Sequence, residues 1–170
     1  EEGITFTRSD NEQLRGVARR ASLLHILQLG NRTVDEDTLQ TMMARKNDAY
    51  VAMLQNITAN DMLPGVATLL NELDAAGVPY ALGSASRNAR LVLEKLGIIG
   101  RFAFIADGAT PVRKKPAPDL FRYAAAKLNV PAHNCLVVED AAAGVRAAQA
   151  ACMATLAVGD ADRFGSLLEN

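Results

Sequence analysis

The run Leu136-Val137-Val138-Glu139-Asp140 constrains the fold more than any other stretch of this chain. Three apolar residues lead straight into two adjacent carboxylates. A helix of small residues, Ala141 to Ala151 with Gly144 near its start, follows at once. An apolar run ended by acids and then a helix reads as a buried parallel strand whose carboxyl end opens a site. Ligands of open α/β sheets collect at such ends. Two crowded carboxylates repel each other unless a cation sits near them, and a hard divalent ion with oxygen ligands, most simply Mg²⁺, relieves that. A capping aspartate beside a solvated glutamate gives the same letters, since Asp is a preferred cap.

The neighbouring pattern fixes the kind of sheet. Val78 to Gly83, Phe104 to Asp107 and Thr155 to Val158 read as further strands. Between them lie helical stretches: Val66 to Ala76 with Gly77 as stop, Arg87 to Leu96 with Ser86 as cap and Gly97 as stop, and Asp119 to Leu128. Strands alternating with helices argue an α/β fold, a Rossmann-like doubly wound parallel sheet. Right-handed crossovers then place every strand's carboxyl end on one rim. Residues 1–57 differ, with no convincing strand. Thr7 to Leu14 predicts a helix capped by Thr7 or Ser9, and Arg15 to Arg20 reads as a Gly-containing loop. Ser22 to Leu29, closed by Gly30, predicts a second helix. A third opens at Thr33 or Asp35, carries Leu39, Met42 and Met43 on one face and runs towards Leu54. The expected division is a small helical cap over 1–57 and an α/β core over 58–170.

Bulk properties narrow the partners. A chain of 170 residues that is 49% hydrophobic suits one globular core with a small cap. A net charge of −1 gives no general case for nucleic acid or a membrane surface. No apolar run is long enough to span a bilayer, and no signal peptide is evident. Cys135 and Cys152 are not in a metal or redox spacing and are expected as buried thiols of a cytoplasmic protein.

Four groups are expected on the rim. Ser84 and Ser86 follow the first strand, just ahead of a helix N-terminus, where hydroxyls, free amides and the helix dipole suit an anion. Plain capping explains Ser86 well and Ser84 less well. Lys115 lies in the basic run Arg113-Lys114-Lys115, restrained by Pro116 and Pro118. Glu139 and Asp140 complete the set. A hydroxyl, a lysine and an acidic pair on one rim point to phosphoryl chemistry, which is mostly positioning and charge neutralisation. No nucleophile is apparent, because His25 and His133 lie beside neither a serine nor a cysteine.

Gly83-Ser84-Ala85-Ser86, Lys115-Pro116-Ala117-Pro118-Asp119 and Val137-Val138-Glu139-Asp140-Ala141-Ala142-Ala143-Gly144 resemble the second, third and fourth motifs of the haloacid dehalogenase superfamily of phosphotransferases. Glu12-Gln13-Leu14-Arg15-Gly16-Val17-Ala18-Arg19 and Arg45-Lys46-Asn47 resemble the helical cap of its β-phosphoglucomutase branch. The resemblance covers nearly the whole chain, in the family's order. It implies that Ser84 holds the transferring phosphate and that Lys115 bridges it to the nucleophile. Asp140, with Glu139, would bind Mg²⁺ directly or through water. Arg19 would grip the substrate's other phosphate, helped by Ser86 and Asn88, and Arg15, Lys46 and Asn47 would line the cap side. The implied reaction moves a phosphoryl group between the C1 and C6 oxygens of glucose through an aspartyl phosphate. A sugar-phosphate phosphatase and a non-catalytic phosphate-binding or interaction protein are the rival readings.

One departure is large. The family's first motif, a strand ending in Asp-x-Asp, supplies the nucleophile and the general acid/base, and no such strand is found here. The chain opens on Glu1-Glu2-Gly3-Ile4 and stops at Leu167-Leu168-Glu169-Asn170, inside what reads as a helix. The expectation is therefore a piece of a longer product, a product part of which is unseen, or a truncated relative without turnover, inactive by itself in each case. In the family that strand is central, between the strand carrying Ser84 and the strand carrying Glu139. The expectation is that a strand from elsewhere fills the gap, inviting self-association, or that the two flanking strands pair directly.

Overall fold

The computed structural model describes residues 3–159 and 164. The helix expected around Leu167 lies outside the described residues. The first helices, α1 (Arg8–Gln13), α2 (Arg19–Leu29) and α3 (Glu36–Leu54), account for the strand-free start of the chain. Their ends follow local chemistry. The Thr7 side chain accepts from the Asp10 amide while the Asp10 carboxylate accepts from the Thr7 amide, a reciprocal cap of α1. Asp35 caps α3 through the Thr38 amide at 2.7 Å. Leu23, Leu27 and Leu39 are buried between α2 and α3, with Ile4, Met42 and Met43 packed against them.

Helix α4 (Val66–Ala75) leads into the alternating part: β1 (Ala81–Gly83), α5 (Ala89–Lys95), β2 (Phe104–Ala106), α6 (Asp119–Lys127), β3 (Leu136–Glu139), α7 (Ala142–Ala150) and β4 (Ala154–Ala157). Short 3₁₀ turns at Ala59–Asp61, Ile99–Arg101 and Ala132–Asn134 join them. Among the described residues all pairing is parallel, as the alternation predicts. β1 pairs with β2, Leu82 opposite Ile105, and β3 pairs with β4, Val137 opposite Thr155. Layers form on both faces of β1–β2. Leu70 of α4 and Leu93 of α5 bury against Ile105 on one side. Leu120 and Ala124 of α6 bury against Ala106 on the other. A third cluster joins Phe121 and Ala125 of α6 to Val137 and to Ala147 and Ala148 of α7.

β1 and β2 are shorter than the letters suggest. Val78 to Tyr80 lie outside β1, and β4 begins one residue earlier than expected. β3 is not buried on both faces: Val137 and Glu139 are covered, whereas Leu136 is 61% exposed and Val138 49%. Helix α7 covers one face of β3–β4, and no other element among the described residues covers Leu136 and Val138. Neither of the two arrangements expected around the missing strand is seen among the described residues. Among the described residues β1 and β3 belong to separate two-stranded sheets, with neither a strand between them nor direct pairing. The cysteines differ from expectation too. Cys135 is only partly buried and Cys152 is exposed. Cys152 takes a left-handed conformation (φ 61°) in the turn that ends α7.

Candidate active site

The end of β3 carries the most buried polar contact. The Lys115 ammonium is ion-paired with Glu139 Oε1, and both side chains are almost wholly buried. Glu139 Oε2 accepts from the amides of Asp140 and Ala141, each at 3.2 Å. The carboxylate is thus fully engaged by a cation and two amides. A buried pair is tolerated only when its remaining lone pairs are satisfied in this way. The Lys115 ammonium also lies 4.6 Å from the centroid of the Phe121 ring.

Phe121 links this pair to the end of β1. A Cβ on Gly83 would come within 2.8 Å of the Phe121 ring, so the glycine opens space for it. Beyond Gly83 the chain makes a tight polar turn. The Ser84 amide donates to the Ala106 carbonyl at 2.8 Å, extending the β1–β2 ladder. Ser84 Oγ accepts from the Ser86 amide, and Ser86 Oγ accepts from the Asn88 amide, both at 3.1 Å. Each hydroxyl serves the backbone as an acceptor, leaving its own proton free to donate to an anion. This turn also corrects the expected helix start. Ser86 does not open a helix at Arg87: residues 87–88 form a turn, the Ser86 hydroxyl accepting from its Asn88 amide, and α5 begins at Ala89 with Asn88 as its flanking residue.

The turn is braced from β2. Asp107 is buried, its Oδ1 accepting from the Ala109 amide at 2.9 Å. Its Oδ2 lies 3.3 Å from Arg90 Nε on α5. The Gly108 amide donates to the Ser86 carbonyl at 2.9 Å.

Two contacts bring the first helices to this rim. Arg15 Nη1 lies 3.4 Å from Asp140 Oδ2, and its Nε lies 3.1 Å from Glu12. Gly16, in the left-handed region at φ 71°, lets the loop approach: its Cβ would stand 3.1 Å from the Ala141 Cβ. Further along, Asn47 Oδ1 accepts from Arg19 at 2.6 Å and from Asn88 at 2.9 Å. Arg19 was expected in the loop but is the first residue of α2. Extended Ala18 ends the loop, and Arg19, Arg20 and Ala21 are good helix formers. Lys46, next to Asn47 on α3, is exposed.

The structure therefore joins Lys115 to Glu139, Ser84 to Ser86, Arg15 to Asp140, and Arg19 through Asn47 to Asn88. Phe121, Arg90 and Asp107 were not anticipated. A phenylalanine on a helix face reads as core, and nothing in its spacing marks the lysine above it.

A family model described as haloacid dehalogenase-like hydrolase matches residues 1–151. The chain belongs to that family. It is 39% identical over 158 residues to β-phosphoglucomutase of Bacillus subtilis (strain 168), covering 92% of this chain and 70% of that protein. It is 32% identical over 131 residues to hexitol phosphatase A of Escherichia coli (strain K12), covering 71% of this chain and 61% of that protein. The crystal structure of β-phosphoglucomutase from Clostridium difficile superposes with a TM-score of 0.90 at 39% identity, over 95% of this chain and 73% of that one. The fold is thus the haloacid dehalogenase-like α/β fold of the β-phosphoglucomutases. Among the described residues no helix is long and apolar enough to cross a membrane.

Proposed function

We propose that this chain forms the phosphate-handling part of a β-phosphoglucomutase-like phosphotransferase, interconverting β-glucose 1-phosphate and glucose 6-phosphate in the cytoplasm. One observation supports this most. Contacts from the first helices reach both strand ends: Arg15 meets Asp140 after β3, and Asn47 meets Asn88 after β1. Residues 1–57 are read as a cap closing over a core of 58–170.

In this reading Ser84 donates its hydroxyl proton to an oxygen of the transferring phosphate. Lys115, anchored by Glu139, puts a fixed positive charge where that group's negative charge builds up. Preorganised charge of this kind needs no rearrangement during reaction. Arg19, with Ser86 and Asn88, holds the sugar's second phosphate, so that a bisphosphate can turn round and rebind. The catalytic aspartates of the family are assigned to no residue of this chain.

The donor chemistry fits Mg²⁺ in part. Asp140 offers a carboxylate that is 59% exposed and already attracts a cation, Arg15. Glu139 is committed to Lys115 and the amides, so Asp140 is the better direct ligand and Glu139 acts through the lysine. Mg²⁺ bound through one carboxylate keeps most of its waters. When bound it would add positive charge that, with Lys115, offsets the charge of the phosphate.

The likeness to hexitol phosphatase A favours a second reading, a sugar-phosphate phosphatase with the same core. Phosphorus NMR separates the two. Full-length protein with Mg²⁺, β-glucose 1-phosphate and a trace of glucose 1,6-bisphosphate should yield glucose 6-phosphate. Release of inorganic phosphate alone would favour the phosphatase. Binding without turnover of either kind would favour the non-catalytic reading. The opening between β1 and β3 is read as a place where a parallel strand adds. Sedimentation at several concentrations tests whether a second copy supplies it.

A further inference from the structure

We propose that Asn47 is a positioning residue: its side-chain carbonyl aims Arg19 and Asn88 at one anion and ties α3 to the loop after β1. The inference rests on the reading of Arg19 as the grip on a sugar phosphate. Arg19 Nη2 donates to Asn47 Oδ1 at 2.6 Å. A guanidinium has no acceptor, so the atom it meets must be the amide oxygen. That oxygen then settles Asn88, because only an amide nitrogen can donate to it, here at 2.9 Å. One acceptor therefore orients donors 28 and 41 residues away in sequence.

The placement gives this oxygen leverage. Asn47 lies within α3, Arg19 opens α2, and Asn88 flanks α5. Two of these helices precede the α/β part and one belongs to it. All three side chains are partly buried, where hydrogen bonds compete less with water. A phosphate oxygen is itself an acceptor and gains nothing from the Asn47 carbonyl. It can use the guanidinium's remaining N–H groups and the second N–H of Asn88, which Asn47 holds in place. The chemistry also explains an amide here in place of an acid. Aspartate would accept the same two bonds, but its charge would neutralise Arg19 and compete with the phosphate.

The test is a set of variants of the full-length protein: Asn47→Ala, Asn47→Asp, Arg19→Ala, and Arg19→Ala with Asn47→Ala. Two readouts are needed: glucose 6-phosphate affinity by calorimetry, and amide hydrogen exchange of the 84–88 peptide without ligand. Arg19→Ala should weaken binding about tenfold, the loss of one charge-assisted contact. Asn47→Ala should weaken it several-fold in the wild-type background and clearly less in the Arg19→Ala background, where only the aim of Asn88 is left to lose, the non-additivity of a residue acting through others. It should also speed exchange over 84–88 at an unchanged melting temperature. Asn47→Asp should keep the slow exchange yet bind weakly. Equal losses in both backgrounds would mean that Asn47 touches the phosphate itself, and would overturn the proposal. If Arg19→Ala binds like wild type, the phosphate-grip reading fails. Exchange then decides the tie alone, and an unchanged rate in Asn47→Ala overturns it.

Discussion

The carboxylate of Glu139 fills the space that a Cβ on Gly144 would take. Gly144 is in the first turn of α7, so strand end and helix start can approach only because this position has no side chain. Gly144→Ala should push Glu139 off its amides and off Lys115. Breaking a buried ion pair costs about 3–5 kcal/mol, and partial relaxation should leave a loss of about 3 kcal/mol. Urea unfolding of the variant measures it. A change below about 0.5 kcal/mol, the range of an ordinary surface substitution, would show that Glu139 has room to move.

The Lys115–Glu139 pair itself should behave as a unit. Lys115→Met leaves a buried carboxylate without its cation, and Glu139→Gln leaves a buried ammonium without its anion. Each should lose about 3–5 kcal/mol. The double variant Lys115→Met with Glu139→Leu should recover most of that stability, because apolar replacement of a whole buried pair is often close to neutral. Phosphate binding should not recover with it. A double variant as unstable as the sum of the singles would mean that the two side chains do not act as a pair.

A pH effect is expected at the other end of the sheet. Tyr80 donates to Asp74 Oδ1 at 2.8 Å, and Arg101 donates to Oδ2 at 2.6 Å. These bonds, the tyrosine's first, hold the Asp74 carboxyl below its ordinary value of 3.8. The folded state thus prefers the charged form. Its contribution to stability is complete above the ordinary value and disappears as pH falls through the lower folded value. Asp74→Asn should therefore lower the melting temperature at pH 7, and the difference should shrink towards zero in acid, below the usual carboxylate range. Thermal melts of both proteins from pH 7 down to pH 2.5 test the sign. A difference that grows in acid contradicts it.

Much of this arrangement can be read from letters alone, for physical reasons that differ by residue. Asp35 is legible as a cap because a short carboxylate ahead of an apolar-periodic run has an unpaired amide to satisfy. Lys115 and Glu139 are legible as members of one rim because parallel strands share a direction. Their pairing is not, since it depends on how the 115–118 segment crosses to β3. Asn47 can be placed on the cap side by resemblance, but its two donors cannot be foreseen, because they come from distant helices. Leu136 and Val138 are apolar letters that say nothing about which face of β3 is covered. Ser86 misleads because a hydroxyl accepting from the amide two residues on serves a turn as well as a helix start, and here the turn at 87–88 precedes the helix.

Arg15 and Asp140 supply the last prediction. Their 3.4 Å contact is between side chains that are 40% and 59% exposed. Such a pair contributes only about 0.2–1 kcal/mol. Mg²⁺ at Asp140 must compete with that guanidinium, and Gly16 packed beside Ala141 keeps the loop close enough for the competition to be felt. No cluster of three or more potential metal-ligating side chains occurs among the described residues. Binding to residues 1–170 alone should therefore be weak, with little heat at low-millimolar Mg²⁺. Arg15→Ala should strengthen it by up to about fivefold, the equivalent of the pair's energy, and Asp140→Asn should abolish it. Raising the salt to about 1 M, where the screening length falls to about 3 Å, should shrink the Arg15 effect. Calorimetric titration at two salt concentrations reads all three. Weaker Mg²⁺ binding in Arg15→Ala would mean that the arginine supports the metal site instead of competing for it.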